Sequence, residues 1–433
     1  MPKKRIIILG AGLAGLSAAW RLQQEGKEVL LLEKEPEVGG LCRSKKVAGF
    51  TFDYDGHLLH FRQRSTLNLI QGLVRGNLIR HSKSSWIYSC GRYTPYPFQA
   101  NLYGLPAPIV KECLAGFIEA SGNGCIKKAS NFLEWINKKF GTGIARHFMV
   151  PYNTKFWTIP PHQMNCYWLD LDGFIPLPSL KRVILGAVEE NREPLGYNAF
   201  FWYPKQGGIG QLPQAFSRRI KNIYTNCAIS EINLKKKEIR SSCGMREKYD
   251  FLISTLPLPE IPNLIRGLPQ GVASNFKKLK WNSIFNLNLG IDKPLGYARH
   301  WVYFPEKDPV FFRAGFYSNF SPGLAPPGKS SLYIEVAYSE NKPIDKRNIA
   351  SRIEEGLKKT GILSSGAQIL CRDINDIKYG YPLYDKNYSP ARQRIIKYLM
   401  RNDILACGRY GCWRYFSMED AMLDGNRAAQ LLC

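Results

Sequence analysis

The 433-residue chain has only six histidines, no Cys-x-x-Cys pair among its eleven cysteines, and 35 acidic residues against 60 basic ones. The histidines stand alone at 57, 60, 81, 147, 162 and 300, so neither a zinc site nor a disulfide framework is expected. An odd number of cysteines spread through expected core segments fits a reducing compartment, and the expected location is cytoplasmic. There is no Ser/His/Asp triad motif and no paired-carboxylate signature, which argues against a hydrolase. No transmembrane segment is expected: the apolar stretch from Ile6 to Trp20 carries the glycines of a nucleotide turn and reads as neither a span nor a signal peptide. Internal repeats and low-complexity tracts are also missing. The formal charge of +25 makes an anionic partner one to weigh. Its basic residues are dispersed, however, and Lys235-Lys236-Lys237 and Lys277-Lys278-Leu279-Lys280 read as solvated turns. No nucleic-acid partner is expected; a phosphorylated substrate or peripheral contact with an anionic membrane surface fits the charge.

What is present begins at the N-terminus. The run Arg5-Ile6-Ile7-Ile8-Leu9-Gly10-Ala11-Gly12-Leu13-Ala14-Gly15 leads into a helical stretch and then into Val29-Leu30-Leu31-Leu32-Glu33. Strand, glycine turn, helix, second strand and terminal acid in that order cradle a dinucleotide. Gly10 allows the turn, Gly12 the approach of backbone to the pyrophosphate, and Gly15 the packing of helix on strand, while Glu33 accepts from a ribose hydroxyl. The continuation through Pro36-Glu37-Val38-Gly39-Gly40-Leu41-Cys42-Arg43 resembles FAD-binding oxidoreductases, not nicotinamide dehydrogenases. Gly39 and Gly40 bring a second backbone turn to the cofactor, and Arg43 offers a forked cation.

Two later segments return to the same sheet: Tyr249 to Pro257, and Asp403 to Arg409 opening onto a helix from about Met418, whose amides would face the flavin. The cofactor domain is therefore discontinuous. The expected fold is α/β: a Rossmann-like FAD-binding domain of residues 1–80, 205–275 and 395–433, an inserted helical domain of residues 100–195, and an antiparallel-sheet substrate domain of residues 81–99, 196–204 and 276–394. Helical spacing at Val110, Cys113, Leu114, Phe117 and Ile118 and at Phe132, Leu133, Trp135 and Ile136 supports the helical insert. Alternating runs around Phe285–Gly290, Trp301–Phe304 and Ser331–Val336 support the sheet, with a helix near Ile349 to Thr360 crossing it.

Over nearly its whole length the chain resembles UDP-galactopyranose mutases, most closely their eukaryotic-type branch, within the superfamily of protoporphyrinogen oxidases and amine oxidases. The resemblance lies in separated blocks: Phe52 to His57; Pro95 to Gln99; Met149 to Trp157; Asn198 with Gly207-Gly208; Trp301 to Pro305; Phe311 to Arg313 through Ser318 to Pro322; Gly380-Tyr381-Pro382; and Gly408 to Tyr415. It implies a redox-neutral, flavin-dependent intramolecular transferase that interconverts the pyranose and furanose rings of a nucleotide sugar, through a covalent adduct at N5 of reduced FAD, in the biosynthesis of a glycan or a glycosylated metabolite. Such chemistry needs no protein nucleophile; the protein holds the diphosphate and orients the sugar. The resemblance further implies that Tyr96, Phe98 and Gln99 line the base end, with Asn153 and Trp157 bordering it. Arg313 would fork onto the diphosphate, assisted by hydroxyls of Tyr303, Tyr381 and Tyr415. Asn198 would address the sugar, and Arg409 and His57 would lie against the flavin. His57, Arg313 and Arg409 are the catalytic candidates. NADPH or NADH is a candidate reductant, an oligomer is compatible with the chain, and no metal is expected.

Departures from the pattern point to an altered substrate. The family's second diphosphate arginine falls in residues 169–176, which contain none; the position is Asp172 without a gap, or Phe174 with a two-residue shift. Lys181 and Arg182 are the nearest substitutes. Asp55 replaces the first glycine of the family's Gly-Gly-His, Phe320 replaces a tyrosine, and Phe416-Ser417-Met418-Glu419-Asp420 is closer to the bacterial branch. Two other readings stay open: a true FAD-dependent oxidoreductase (oxidase, dehydrogenase or desaturase) on this scaffold, and a flavin-binding assembly partner without catalysis.

Overall fold

The computed structural model describes residues 4–122, 128–170, 175–191, 195 and 199–433. Its first layer is a five-stranded sheet in the order Ile404–Ala406, Phe251–Ser254, Ile6–Leu9, Val29–Leu32 and Ile223–Tyr224. Every neighbouring pair is parallel. The three central strands are short apolar runs with nearly every residue buried, as a parallel sheet covered on both faces requires. Residues remote in the chain thus form one sheet, and the Rossmann-like fold is discontinuous, as expected.

Helix Leu13–Gln24 leaves the first strand through Gly10, whose φ of +95° lies in the region that favours glycine. A side chain at Gly15 would run into the carbonyl of Gly10, so the third glycine of the fingerprint is there for packing. On the other side the C-terminal helix Met418–Gln430 lies against the same helix. Gly425 permits this contact, because a Cβ there would fall far inside contact distance of the Ala14 carbonyl. Ser17 Oγ ties the pair by donating to Met422 O at 2.9 Å.

The second sheet has seven strands in the order Ile369–Pro382, Trp281–Ile291, Ser330–Tyr338, Arg313–Phe316, Trp301–Tyr303, Ser85–Ser89 and Arg92–Pro95. It is antiparallel with one correction to the expectation: Trp301–Tyr303 runs parallel to Ser85–Ser89. Helix Ile349–Lys359 packs Ile353 and Leu357 into the apolar cluster on one face. The helical insert comprises Ala107–Gly122, Phe132–Ile144, Val150–Trp157 and Leu180–Val188, although Ile118, placed on its apolar stripe from sequence, is largely exposed. Cysteine usage brings a second correction: Cys227 and Cys243 form a disulfide, closing a small three-stranded ribbon at the edge of the cofactor domain. Among the described residues no helix is long and apolar enough to cross a membrane, and no cluster suits a metal ion.

Two glycines set a test of this packing. Gly425→Ala should lower stability by roughly 1–3 kcal/mol through overpacking. Gly72→Ala, in helix Arg64–Leu73 with open space around it, should be neutral or gain about 0.4–1 kcal/mol. Thermal melts of the two holoproteins check the contrast; equal melting points would remove the close-contact account.

Candidate active site

A cleft between the two sheets has an inner and an outer half. The inner half, about 290 Å³, runs from the backbone of Gly12, Gly39 and Gly40 to Arg409, Tyr410 and the first turn of helix Met418–Gln430. Gly12 and Gly39 pair as an isolated parallel bridge, and Gly39 N donates to Ala11 O at 2.8 Å. Gly39 and Gly40 have φ of +120° and +58°, so both fingerprint turns present bare backbone to the cleft. Glu33 is buried at the end of its strand, where one carboxylate oxygen accepts from Ala11 N at 2.7 Å and the other from Glu35 N at 3.0 Å. Arg43 folds onto its own turn, donating from Nε to Gly40 O at 2.8 Å, and lies over the Tyr54 ring. The capping box between Ser417 and Asp420 fixes the start of the last helix, and Met418 lines the cleft there. Bare backbone at one end, a helix N-terminus and the Arg409 guanidinium at the other fit a flavin dinucleotide.

Arg409 is held rigidly. Nη1 donates to Phe416 O at 3.1 Å and Nη2 to Gly380 O at 2.9 Å, and the guanidinium lies 4.5 Å from the Tyr381 ring centroid and 5.3 Å from that of Tyr415. Its Nε is buried with no partner among the described residues, a donor left over for a ligand. His57 lines the same half. Its Nδ1 lies 3.0 Å from the carbonyl of Asp55, so that nitrogen donates and Nε2 keeps a lone pair. Burial pushes the imidazole down to about 4, leaving it neutral at ordinary pH.

The outer half, about 170 Å³, is walled by aromatic rings. Phe148, Tyr152 and Phe156 stand at four-residue spacing, with near-parallel rings 5.3 and 6.2 Å apart. Sequence reading did not select these three, although an i, i+4, i+8 aromatic spacing was the signal. Tyr96, Gln99, Asn153 and Trp157 line this half. Gln99 Nε2 donates to Pro176 O at 2.7 Å, while its Oε1 is buried without a partner among the described residues. Asn153 accepts from Trp157 Nε1 at 3.2 Å and donates to Met149 O, which fixes both side chains. Phe98 does not reach the cavity: it is fully buried and stacks behind Phe148, which forms the wall in its place. Asn198, Asp172 and Phe174 lie outside the described residues. The expected substitutes for the missing arginine are elsewhere, since neither Lys181 nor Arg182 lines either half and Arg182 Nη2 donates to Asn191. Phe320 is buried against Tyr203 and Tyr317, away from the cavity.

Tyr303, Arg313, Tyr381 and Tyr415 line both halves. Arg313 is the single charged residue among the described ones lining the outer half. It belongs to a transverse row of the seven-stranded sheet in which Asn375, Asn286, Glu335, Arg313 and Tyr303 sit directly opposite one another on successive strands, so their side chains share one face. Glu335, fully buried, takes the Arg313 fork through Nε and through Nη2 at 2.8 Å. Its carboxyl neighbours that of Asp55, and burial pushes Glu335 up to about 8. Asp55, also raised by burial, lines the inner half, accepts from Gly56 N at 2.8 Å and lies 3.4 Å from Asn286 Nδ2. The cross-strand partnership of Glu335 and Arg313 was not visible from sequence.

Comparison with known proteins agrees with this geometry. Residues 8–71 match the NAD(P)-binding Rossmann-like domain and residues 181–433 the flavin containing amine oxidoreductases. A crystal structure of reduced UDP-galactopyranose mutase superposes with a TM-score of 0.94 at 29% identity, covering 99% of this chain and 95% of that one. Coproporphyrinogen III oxidase of Bacillus subtilis (strain 168) is 20% identical over 407 residues, 85% of each chain. A shorter match joins 78 residues, at 37% identity, to UDP-galactopyranose mutase of Mycoplasma pneumoniae, covering 17% of this chain and 20% of that protein. The chain therefore belongs to the flavin containing amine oxidoreductase family, as a UDP-galactopyranose mutase-like FAD protein.

Proposed function

We propose that this chain interconverts the pyranose and furanose rings of a nucleotide sugar without net redox change, on a substrate altered from UDP-galactopyranose. The observation that carries the reading is the set of four residues, Tyr303, Arg313, Tyr381 and Tyr415, lining both halves of the cleft. A diphosphate held there puts a base in the outer half and a sugar against the flavin ring in the inner half. When bound, reduced FAD supplies the nucleophile for the anomeric carbon; a nicotinamide dinucleotide is the candidate reductant.

The chain's own residues then have three tasks. The rings of Tyr96, Phe148 and Tyr152 offer flat apolar surface to the base, and Gln99 Oε1, without a partner among the described residues, accepts from a base N–H. Arg313 neutralises the diphosphate as it departs and returns, with the tyrosine hydroxyls donating to its oxygens. Arg409, clamped by two carbonyls and two rings, keeps positive charge at the flavin end, which favours an anionic reduced cofactor. His57, neutral through Nδ1–H, offers Nε2 as an acceptor at the same place. Asn198 is proposed to address the sugar.

A second reading, hydride transfer from a substrate to FAD, is favoured by one observation: Arg313 is already forked onto Glu335, and no other cation lines the outer half among the described residues. The oxidase relative that spans 85% of both chains points the same way.

Two measurements separate these readings. Anaerobic incubation of the dithionite-reduced holoprotein with a panel of nucleotide sugars, including UDP-galactopyranose and UDP-galactofuranose, should give ring-isomerised product by chromatography with mass detection, and none with the oxidised form. An unchanged panel, with the oxidised flavin bleached by another metabolite, would transfer the assignment to hydride transfer. Arg313→Ala should weaken UDP binding by at least about 30-fold, the lower end of the cost of removing a buried charge partner, with flavin content unchanged. Equal UDP affinity in calorimetry would remove Arg313 from the diphosphate site.

A further inference from the structure

Asp55 and Glu335 come from distant parts of the chain, the loop after strand Phe50–Asp53 and the middle of strand Ser330–Tyr338. Their carboxyl groups are buried, and Asn286 stands beside both: its Nδ2 is 3.4 Å from Asp55, and it sits directly opposite Glu335 on the neighbouring strand. Two ionised carboxylates this close in a buried site repel each other, which favours one proton on the pair. The other fixed bonds of the pair come from donors: Gly56 N to Asp55, and the Arg313 fork to Glu335. Asn286 holds the pair from the side, and its own Oδ1 accepts from Asn375 at 3.0 Å. The pair is thus built into the transverse row and is not a chance encounter of surface acids.

Its position matters because of the charge count. With both carboxylates ionised, Arg313 and Arg409 would be fully balanced before any ligand arrived. An anionic diphosphate would then find no net positive charge to meet it at the single cation lining the outer half among the described residues. With one proton on the pair, Arg313 is balanced by one carboxylate, and its remaining N–H groups can serve the ligand without net repulsion. We propose that Asp55 makes diphosphate binding proton-linked: the Asp55–Glu335 pair must hold one proton for a nucleoside diphosphate to bind at Arg313, so that the proton takes the place of a second cationic side chain. This inference rests on the nucleotide reading of the cleft.

The direction of the pH effect follows from the groups around the pair. Burial raises both acids, Glu335 to about 8. Arg313 on the neighbouring strand and Arg409 on the flavin side oppose that rise for Asp55. His57, on the same loop, is neutral with its value lowered to about 4, and the buried hydroxyls of Tyr333, Tyr317 and Tyr410 are all raised, so these stay uncharged and contribute no competing titration. Tyr152, Tyr303 and Tyr381, which also feel the charge of Glu335, are raised too. Below the pair's value the proton is in place and UDP binds; above it, binding must take up a proton and weakens.

The test is calorimetric titration of the oxidised holoprotein with UDP from about pH 6.5 to about 9.5, repeated in buffers of different ionisation enthalpy to count protons. The expected result is an affinity that falls by up to about tenfold per pH unit above the pair's value, with uptake approaching one proton. Asp55→Asn should flatten the profile and abolish the uptake, and Asp55→Gly, which leaves no side chain to strain the loop, should do the same. A parent profile with no weakening, or a slope that survives in both variants, would overturn the proton linkage while leaving the nucleotide site standing. Absence of UDP binding to parent and variants at every pH would overturn the nucleotide reading and this inference with it.

Discussion

The fork between Arg313 and Glu335 is the interaction on which the cleft depends. Neither group would be tolerated alone at that depth: a buried charge is costly unless it is paired and hydrogen-bonded, and Glu335 is fully enclosed. The pair converts a cation that would otherwise seek solvent into one with a fixed position and three N–H bonds outside the fork. The seven-stranded sheet supplies the rigidity. Asn375, Asn286, Glu335, Arg313 and Tyr303 occupy one transverse row, so the guanidinium is positioned by strand pairing and not by a loop. The flanking tyrosines and Asp55 are arranged around that fixed charge.

The cofactor side uses a different device. That end of the cleft is lined by two glycine turns and a helix start, and Arg409 there is locked by the carbonyls of Gly380 and Phe416. Gly380 belongs to the strand that also carries Tyr381, and Tyr381 lines the outer half of the cleft. Arg409 is therefore in direct contact with a residue that both halves share.

How much of this was legible beforehand follows from how local each feature is. The fingerprint from Ile6 to Glu33 and the second turn at Gly39 and Gly40 are contiguous in the chain, so sequence alone could assign turn, helix and strand. The return of residues 251–254 and 404–406 to the sheet of the first strand was also legible, because short apolar runs of that type have few other places to go. The location of Arg313 came from a resemblance of blocks, but its partner did not, since pairing residue 335 with 313 on one side and with 286 on the other requires the register of three strands. Phe98 misled because an aromatic beside Gln99 reads equally well as wall or as core; the structure puts Phe148 between it and the cavity. The disulfide at Cys227 and Cys243 escaped because sixteen residues of separation carry no spacing signature.

The transverse row has a consequence for how such a protein can diverge. Side chains on a strand alternate faces with a period of two, so a register slip of one residue would turn Arg313 or Glu335 away from its partner and bury it unpaired on the other side. Insertions and deletions within the central strands are thereby closed to selection, whereas the loop carrying Asp55 and the helical wall carrying Phe148, Tyr152 and Phe156 can exchange side chains one at a time. A lineage with this architecture is free to explore new ligands by point substitution around an immovable charge, and not by changes of length through it.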